Sequence, residues 1–272
     1  MSNIKVIEKI GKFKGPIVVV LAGVHGNEKA GVIAVENIYN KLKIKRGRVI
    51  FIIANLKALN ENKRFIEKDL NRCFLEEQPL EIKNSLEGQT AREIMLLLKK
   101  ADFMIDLHQS NSEKSKPFII CEEKTLDLTK FIPITTVTLG WSISFPGASA
   151  SFVDAKGGNG IAVELGSVKD DNCNILAEKA IVNFLSGLKL ISGSVEIFQE
   201  KEFLKIKKIH KNTIASFEKL RDFDDFEKLS GDCVIGNEGK ETIRGEGGDF
   251  IIFVRDRVNL NMECFITLTR LS

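Results

Sequence analysis

His25 and Glu28 stand three positions apart in the stretch Gly23-Val24-His25-Gly26-Asn27-Glu28. An imidazole nitrogen and carboxylate oxygens at that spacing can converge on one metal ion, and the pair suits Zn²⁺. Glycine, asparagine and glutamate also gather at strand-to-helix corners for local reasons: backbone freedom, capping and the helix dipole. The hexapeptide alone leaves both readings open. Further polar residues bear on the choice: Arg64, Asn71 and Arg72 in a polar stretch, His108 at the end of an apolar run, and Glu164 inside another. Together they supply the parts of a zinc hydrolase. Three protein ligands leave a fourth position open for water, whose pKa the metal brings toward about 7. A carboxylate then takes its proton. One arginine can stabilise the oxyanion. A second, with an amide beside it, can grip a substrate carboxylate through a forked pair of hydrogen bonds.

These residues need elements to hold them. The apolar run from Ile17 to Val24 predicts a buried strand, and Ala30, Val32, Ile33, Ala34, Ile38 and Leu42 predict the helix after it. Val49 to Ala54, Phe103 to Leu107 and Ile161 to Leu165 read as further core strands, with His108 following one and Glu164 within another. Thr90 to Lys100 and Asn172 to Leu188 read as helices, Ile4 to Ile10 as an edge strand, and Phe118 to Cys121 and Ile134 to Leu139 as short strands. Lys57 to Leu86 is polar throughout and reads as a long loop of the functional kind, and Trp141 to Asn159 as a second irregular segment. From about residue 192 onward short strands alternate with glycine-rich turns, among them Glu196 to Gln199 and Phe203 to Ile209. The expected fold is α/β, a mixed central sheet flanked by helices over residues 1–191, with a smaller β-rich domain over 192–272.

Some of these residues admit plainer roles. His108 could be a hydrogen-bonded histidine at a strand end, and Arg72 could pair with Glu76. Asp106 lies two residues before His108, so both face one way in a strand; it could orient the histidine or serve as a structural acid. Glu164 in Ile161-Ala162-Val163-Glu164-Leu165 needs a partner, because an unpaired buried carboxylate is costly. His210 sits among lysines and reads as solvated surface.

Four motifs in order carry a resemblance: Gly23 to Glu28, then Arg64 followed by Asp69-Leu70-Asn71-Arg72, then Asp106-Leu107-His108, then Gly160-Ile161-Ala162-Val163-Glu164. In these, over roughly residues 17 to 190, the chain resembles the succinylglutamate desuccinylase/aspartoacylase family, a branch of the zinc carboxypeptidase superfamily. The resemblance implies one zinc per chain held by His25, Glu28 and His108, with Glu164 as general base and acid. It implies that Arg64 polarises the scissile carbonyl and that Asn71 with Arg72 holds the amino acid's carboxylate. It also implies hydrolysis of the amide of an N-acyl amino acid, and a homodimer. A carboxypeptidase-like peptidase acting on short peptides, or a binding protein that keeps the metal without chemistry, are the alternatives; simple metal binding needs neither Arg64 nor Glu164. In aspartoacylases an arginine and a tyrosine ahead of the catalytic glutamate hold the substrate's side-chain carboxylate. Counting back from Glu164, those places hold Asp154 and Ala150, and the only tyrosine is Tyr39. An acid at 154 argues against N-acetylaspartate and succinylglutamate as substrates.

Composition narrows the rest. A formal net charge of +3 made of many charges of both signs describes a solvated surface and no nucleic-acid footprint. The five cysteines are scattered and form no C-x-x-C pair, which points to a reducing compartment. Residues 1–15 are charged and do not read as a signal, no apolar run reaches membrane-spanning length, and a cytoplasmic location is expected.

Overall fold

Every residue from Val18 to Ala22 is out of contact with water, as a strand covered by helices on both faces requires. The computed structural model describes residues 2–271. Contacts divide it into two units, residues 1–113 with 117–201, and residues 114–116 with 202–272.

The strands of the first unit are β1 (Lys5–Ile10), β2 (Phe13–Ala22), β3 (Arg46–Ile53), β4 (Phe103–Ser110), β5 (Phe118–Ile120), β6 (Thr136–Leu139) and β7 (Asn159–Ser167). Its helices are α1 (Ala30–Ile38), α2 (Leu56–Asn60), α3 (Leu80–Asn84), α4 (Leu86–Leu98), α5 (Trp141–Ser144), α6 (Ser149–Ala155) and α7 (Asn172–Gly187). The strand order is β1-β3-β2-β4-β7-β5-β6. The central strands β3, β2, β4 and β7 are parallel. β1 is antiparallel to β3, and β5 to β7, so the sheet is mixed.

Pleating sends alternate residues to opposite helical layers. Val19, Leu21 and Met104 pack with Ala91, Ile94 and Leu98 of α4 and with Phe152 and Val153 of α6. On the other face Gly31 of α1 lies against Ala22 and Leu107. A Cβ there would fall 2.7 Å from Leu107 Cβ, so glycine is what lets the helix settle onto the sheet. α7 packs beside α1 in this layer. The register of β4 on β7 pairs His108 directly with Glu164.

Several elements differ from the sequence expectation. The stretch from Lys57 to Leu86 contains most of α2, all of α3 and a tight helical turn at Leu70–Arg72, and the one from Trp141 to Asn159 contains α5 and α6. Most of these run only three to five residues, too short to show a 3.6-residue period. Helix α4 starts four residues earlier than expected, because the Ser85 hydroxyl caps it by accepting from Gly88 N at 3.1 Å. Glu196 to Gln199 is not a strand. The Asn183 side chain takes its place as partner, accepting from Glu196 N and donating to Glu196 O.

The second unit is antiparallel β. Its strands β8 (Glu202–Lys211), β9 (Phe217–Lys219), β10 (Glu227–Lys228), β11 (Cys233–Glu238), β12 (Glu241–Gly245), β13 (Phe250–Ile252) and β14 (Glu263–Arg270) form the orders β8-β14-β13-β10 and β12-β11-β9. His210 is not solvated surface. It stacks on Phe265 at 4.9 Å, packs against Phe217, and faces Glu238 Oε2 at 3.2 Å. The register of β8 on β14 pairs His210 with the core residue Phe265, so its side chain turns inward with that ring.

Glu238 is 2% exposed, and its Oε1 accepts from the backbone N–H groups of Thr213 and Ile214 at 2.6 Å and of Ala215 at 3.4 Å. Burial acts to raise its pKa, but these donors outweigh it and hold the carboxyl below its ordinary value. A depressed folded pKa means that this stability is present above the unfolded value, about 4.3, and is lost as pH falls through the folded one. Glu238→Ala is expected to cost about 1–3 kcal/mol by stranding those N–H groups. Thermal midpoints of both proteins from roughly pH 3 to 7 should differ most at neutral pH and converge in acid. Equal midpoints at neutral pH would refute this.

Candidate active site

The polar residues collect at the C-terminal ends of β2, β4 and β7, where open α/β sheets carry their sites. After β2 the chain turns through Gly23 and presents His25. Gly26 passes so close to α2 that a Cβ would lie 2.1 Å from the Ala58 carbonyl carbon. Glu28 follows just before α1, and β4 brings His108. All three are at most 3% exposed. One ligand atom from each lies within 4.8 Å of the other two. His25 Nδ1 is 2.8 Å from Glu28 Oε1, and His108 Nδ1 is 3.0 Å from Glu28 Oε2.

The outward nitrogens each face another carboxylate. His25 Nε2 lies 3.0 Å from Asp69 Oδ1, and His108 Nε2 lies 3.0 Å from Asp106 Oδ2. Carboxylates in that position fix the ring orientation of metal-binding histidines and raise their basicity. Asp106 is fully buried and accepts from the Ser149 hydroxyl, while His108 Nε2 faces it without an aligned hydrogen bond. Asp69 accepts in addition from Arg64 Nε at 3.2 Å, Arg64 Nη2 at 3.0 Å and Asn71 N at 2.9 Å.

Burial acts against charge at each of these groups, and the neighbours prevail. Burial acts to raise Glu28, but the charges and hydrogen bonds of His25 and His108 hold it well below the carboxylate range. Asp69 is likewise held low against burial by His25 and Arg64. Burial acts to lower both histidines; Glu28 and Asp69 raise His25 despite Arg64, and Asp106 and Glu28 raise His108 well above the ordinary histidine value. The surrounding carboxylates thus favour the charged form of both imidazoles. His25 Nδ1 makes no aligned hydrogen bond although it is buried. Two imidazole nitrogens and a carboxylate turned toward one point fit a divalent cation.

Glu164 stands beside His108 as its register partner on β7. Its Oε2 is buried and has no hydrogen-bond partner. Burial pushes its carboxyl up to about 7, against the charge of His108. Arg64 reaches the same place from the polar stretch, donating from Nη1 to Glu28 Oε1 at 3.2 Å, with 36% of its side chain exposed. Asn71 and Arg72 stand in the turn at Leu70–Arg72. Asn71 Oδ1 accepts from Ser149 N at the start of α6, and the Arg72 guanidinium lies over the Phe145 ring, 4.4 Å from its centroid. Glu76 is paired instead with Lys99 and Lys156.

Asp154 does not stand as a bare charge toward a substrate. It accepts from Gly160 N at 2.9 Å and pairs with Lys124 at 3.1 Å. The electrostatic argument against a second substrate carboxylate loses its basis.

Sequence reasoning gave no role to Asp69, Gln109 or Glu87. Asp69 was inside a recognised motif. Gln109 follows His108; its N–H donates to Glu28 Oε2, and its side chain accepts from Ala30 N and donates to Ser167 O. Glu87 is fully buried, on the same stripe of α4 as Ala91, Ile94 and Leu98. A glutamate on a core-facing stripe was the available signal. Its carboxylate accepts from Ile66 N at 2.8 Å, Glu67 N at 3.1 Å and Lys68 N at 3.0 Å, and so clamps the segment between Arg64 and Asp69. Glu87→Ala is expected to lower kcat/KM about tenfold to a hundredfold, the scale of a misplacement of about 1 Å. Glu87→Gln, which keeps one acceptor, should recover part of that. An unchanged kcat/KM in folded Glu87→Ala protein would refute the clamp.

Comparison with known proteins follows the same geography. The profile of the Succinylglutamate desuccinylase/Aspartoacylase catalytic domain matches residues 14–189. A succinylglutamate desuccinylase of Pseudoalteromonas atlantica is 24% identical over 287 residues, which cover 92% of this chain and 80% of that one. The N-acyl-aromatic-L-amino acid amidohydrolase (carboxylate-forming) A of Danio rerio is 27% identical over 219 residues, covering 67% of this chain and 65% of the relative, just under two thirds of its length. The structure of a succinylglutamate desuccinylase from Vibrio parahaemolyticus superposes with a TM-score of 0.80 at 19% identity, over 98% of this chain and 86% of that one. With its catalytic-domain profile covering His25, Glu28, Arg64, Asn71, Arg72, His108 and Glu164 alike, the chain belongs to the succinylglutamate desuccinylase/aspartoacylase family.

Proposed function

We infer that this protein is a zinc-dependent hydrolase that cleaves the amide bond of N-acyl amino acids. The observation that carries the reading is the convergence of His25, Glu28 and His108 beside Glu164, a carboxylate with an orphaned buried oxygen. The relatives named as amidohydrolases and desuccinylases support it. His25, Glu28 and His108 would hold Zn²⁺, whose chemistry there is Lewis acidity toward a carbonyl and a water pKa brought toward about 7.

The chain's own residues do the rest. Glu164 accepts the proton of the attacking water and returns it to the leaving amine; a carboxyl titrating near neutrality suits both transfers. Arg64, fixed by Asp69 and Glu28, offers its guanidinium to the carbonyl oxygen as negative charge develops. Asn71 has its carbonyl oxygen committed to Ser149 N, which leaves its amide N–H₂ to donate. With Arg72, oriented by Phe145, it receives the substrate's α-carboxylate as a fork. All five cysteines are free thiols, which accords with a cytoplasmic, reducing compartment.

The test is metal content of protein purified without chelator, together with turnover of a panel of N-acyl amino acids and dipeptides. Zinc-dependent release of a free amino acid is expected, and poor substrates when the α-carboxylate is amidated. Bound zinc without hydrolysis of any compound would leave a metal-binding protein instead.

A further inference from the structure

A groove of about 600 Å³ opens beside the ligand cluster. Its near wall includes Asn27, which lies between the two ligands His25 and Glu28, together with Arg64 and Gln109. Asn111 beyond β4 and Asp170 and Asn174 at the start of α7 make further wall. We propose that this groove receives the acyl half of the substrate, and that it selects an aminoacyl group over acetyl or a hydrocarbon chain. The proposal rests on the deacylase reading and specifies its substrate.

Position comes first. Asn71 and Arg72 are tied to α6, which packs with α4 on one face of the sheet. The groove is built from the starts of α1 and α7, the layer on the other face. The ligand cluster, Arg64 and Glu164 lie at the strand ends between them. A linear substrate with its carboxylate at Arg72 and its carbonyl at Arg64 therefore directs its acyl group into the groove.

Size and chemistry follow. At about 30 Å³ per water the groove holds on the order of twenty waters, far more than an acetyl group displaces. Ala30, Ile33 and Val168 are its apolar lining residues, against nine polar or charged ones, so a hydrocarbon chain that filled it would strip water from those polar groups and give them no partner. One of the polar groups is a buried acceptor without a donor. Asn27 Nδ2 donates to Asn111 Oδ1 at 2.7 Å, while Asn27 Oδ1 is buried and has no partner. The Gln109 amide is already committed to Ala30 N and Ser167 O. Asp171 adds a carboxylate, and Asp170 another whose Oδ1 already accepts from Asn172 N at 2.9 Å and Asn172 Nδ2 at 2.8 Å. Of the cations in the lining, Arg64 is held by Glu28 and Asp69, and Lys29 stands exposed. Unpaired acceptors favour a ligand that brings N–H donors, and an aminoacyl group brings an ammonium.

The experiment compares N-glycyl-, N-acetyl-, N-hexanoyl- and N-succinyl-alanine on the zinc-loaded protein. It also measures their binding to Glu164→Gln by calorimetry, which reads the groove without turnover. N-glycylalanine is expected to exceed the acetyl and hexanoyl compounds at least tenfold in kcat/KM and in affinity. Asn174→Leu, which replaces a polar wall residue by an apolar one, should narrow that ratio to about threefold. Equal or better handling of the acetyl or hexanoyl compound would overturn the proposal, as would a succinyl preference, which would assign the groove to Lys29 and an anion. Tenfold tighter binding of N-glycylalanine with no hydrolysis of any compound would uphold the groove's selectivity and reject the deacylase reading.

Discussion

Glu164→Gln is expected to lower kcat by about 10²–10⁴, the worth of a positioned general base, and to leave fold and metal content unchanged. Glutamine keeps the size of the side chain and one carbonyl acceptor, but it cannot take up a proton. The position tolerates the neutral group, because burial already disfavours charge there and brings the carboxyl up to about 7. His108 stays beside it through the β4–β7 register, which depends on the backbone alone. The measurement is steady-state turnover together with metal content and thermal midpoint on the same preparation. Full activity would remove Glu164 from the mechanism.

His108→Ala is expected to abolish both metal binding and activity. The loss in affinity should exceed the roughly 10–100-fold that follows removal of an outer partner, which is the effect expected of Asp106→Asn. Electrostatics adds a second readout. Without a cation, Glu28, Asp69 and Asp106 raise the pKa of the two histidines. Metal binds only deprotonated imidazoles, so its uptake is expected to release protons, more of them as pH falls. Calorimetric titration of metal-free protein in buffers of different ionisation enthalpy measures that release. Wild-type uptake without proton release would contradict the arrangement, and so would full zinc occupancy in His108→Ala.

Much of this was visible in the chain because apolar runs announce buried strands, and the residues that interrupt or end them stand out. His25, His108 and Glu164 each follow or interrupt such a run, and β2, β4 and β7 bring them to the same end of the sheet. Short helices were hidden because α2, α3 and α5 span barely one turn. His210 was misread because neighbouring lysines suggest an exposed strand, whereas its partner across the β8–β14 pair is the buried Phe265. Asp154 illustrates the limit of counting along a motif: its number matched a family position, but its side chain is turned to Lys124 and Gly160. Glu87 and Gln109 act through backbone N–H and carbonyl groups far along the chain, and no local pattern marks such partnerships.

Asp69 gives one carboxylate to two tasks, holding His25 with one oxygen and Arg64 with the other. In the proposed mechanism, cation affinity and carbonyl activation are then not separable quantities. Removing Arg64 frees Asp69 to pull harder on His25 and relieves Glu28 of a competing charge. The kinetic deficit of an Arg64 variant would thus mix a lost donor with an altered grip on the metal. Only a thermodynamic cycle that includes Asp69 apportions the two, and its coupling term should depart from zero by more than independent sites allow.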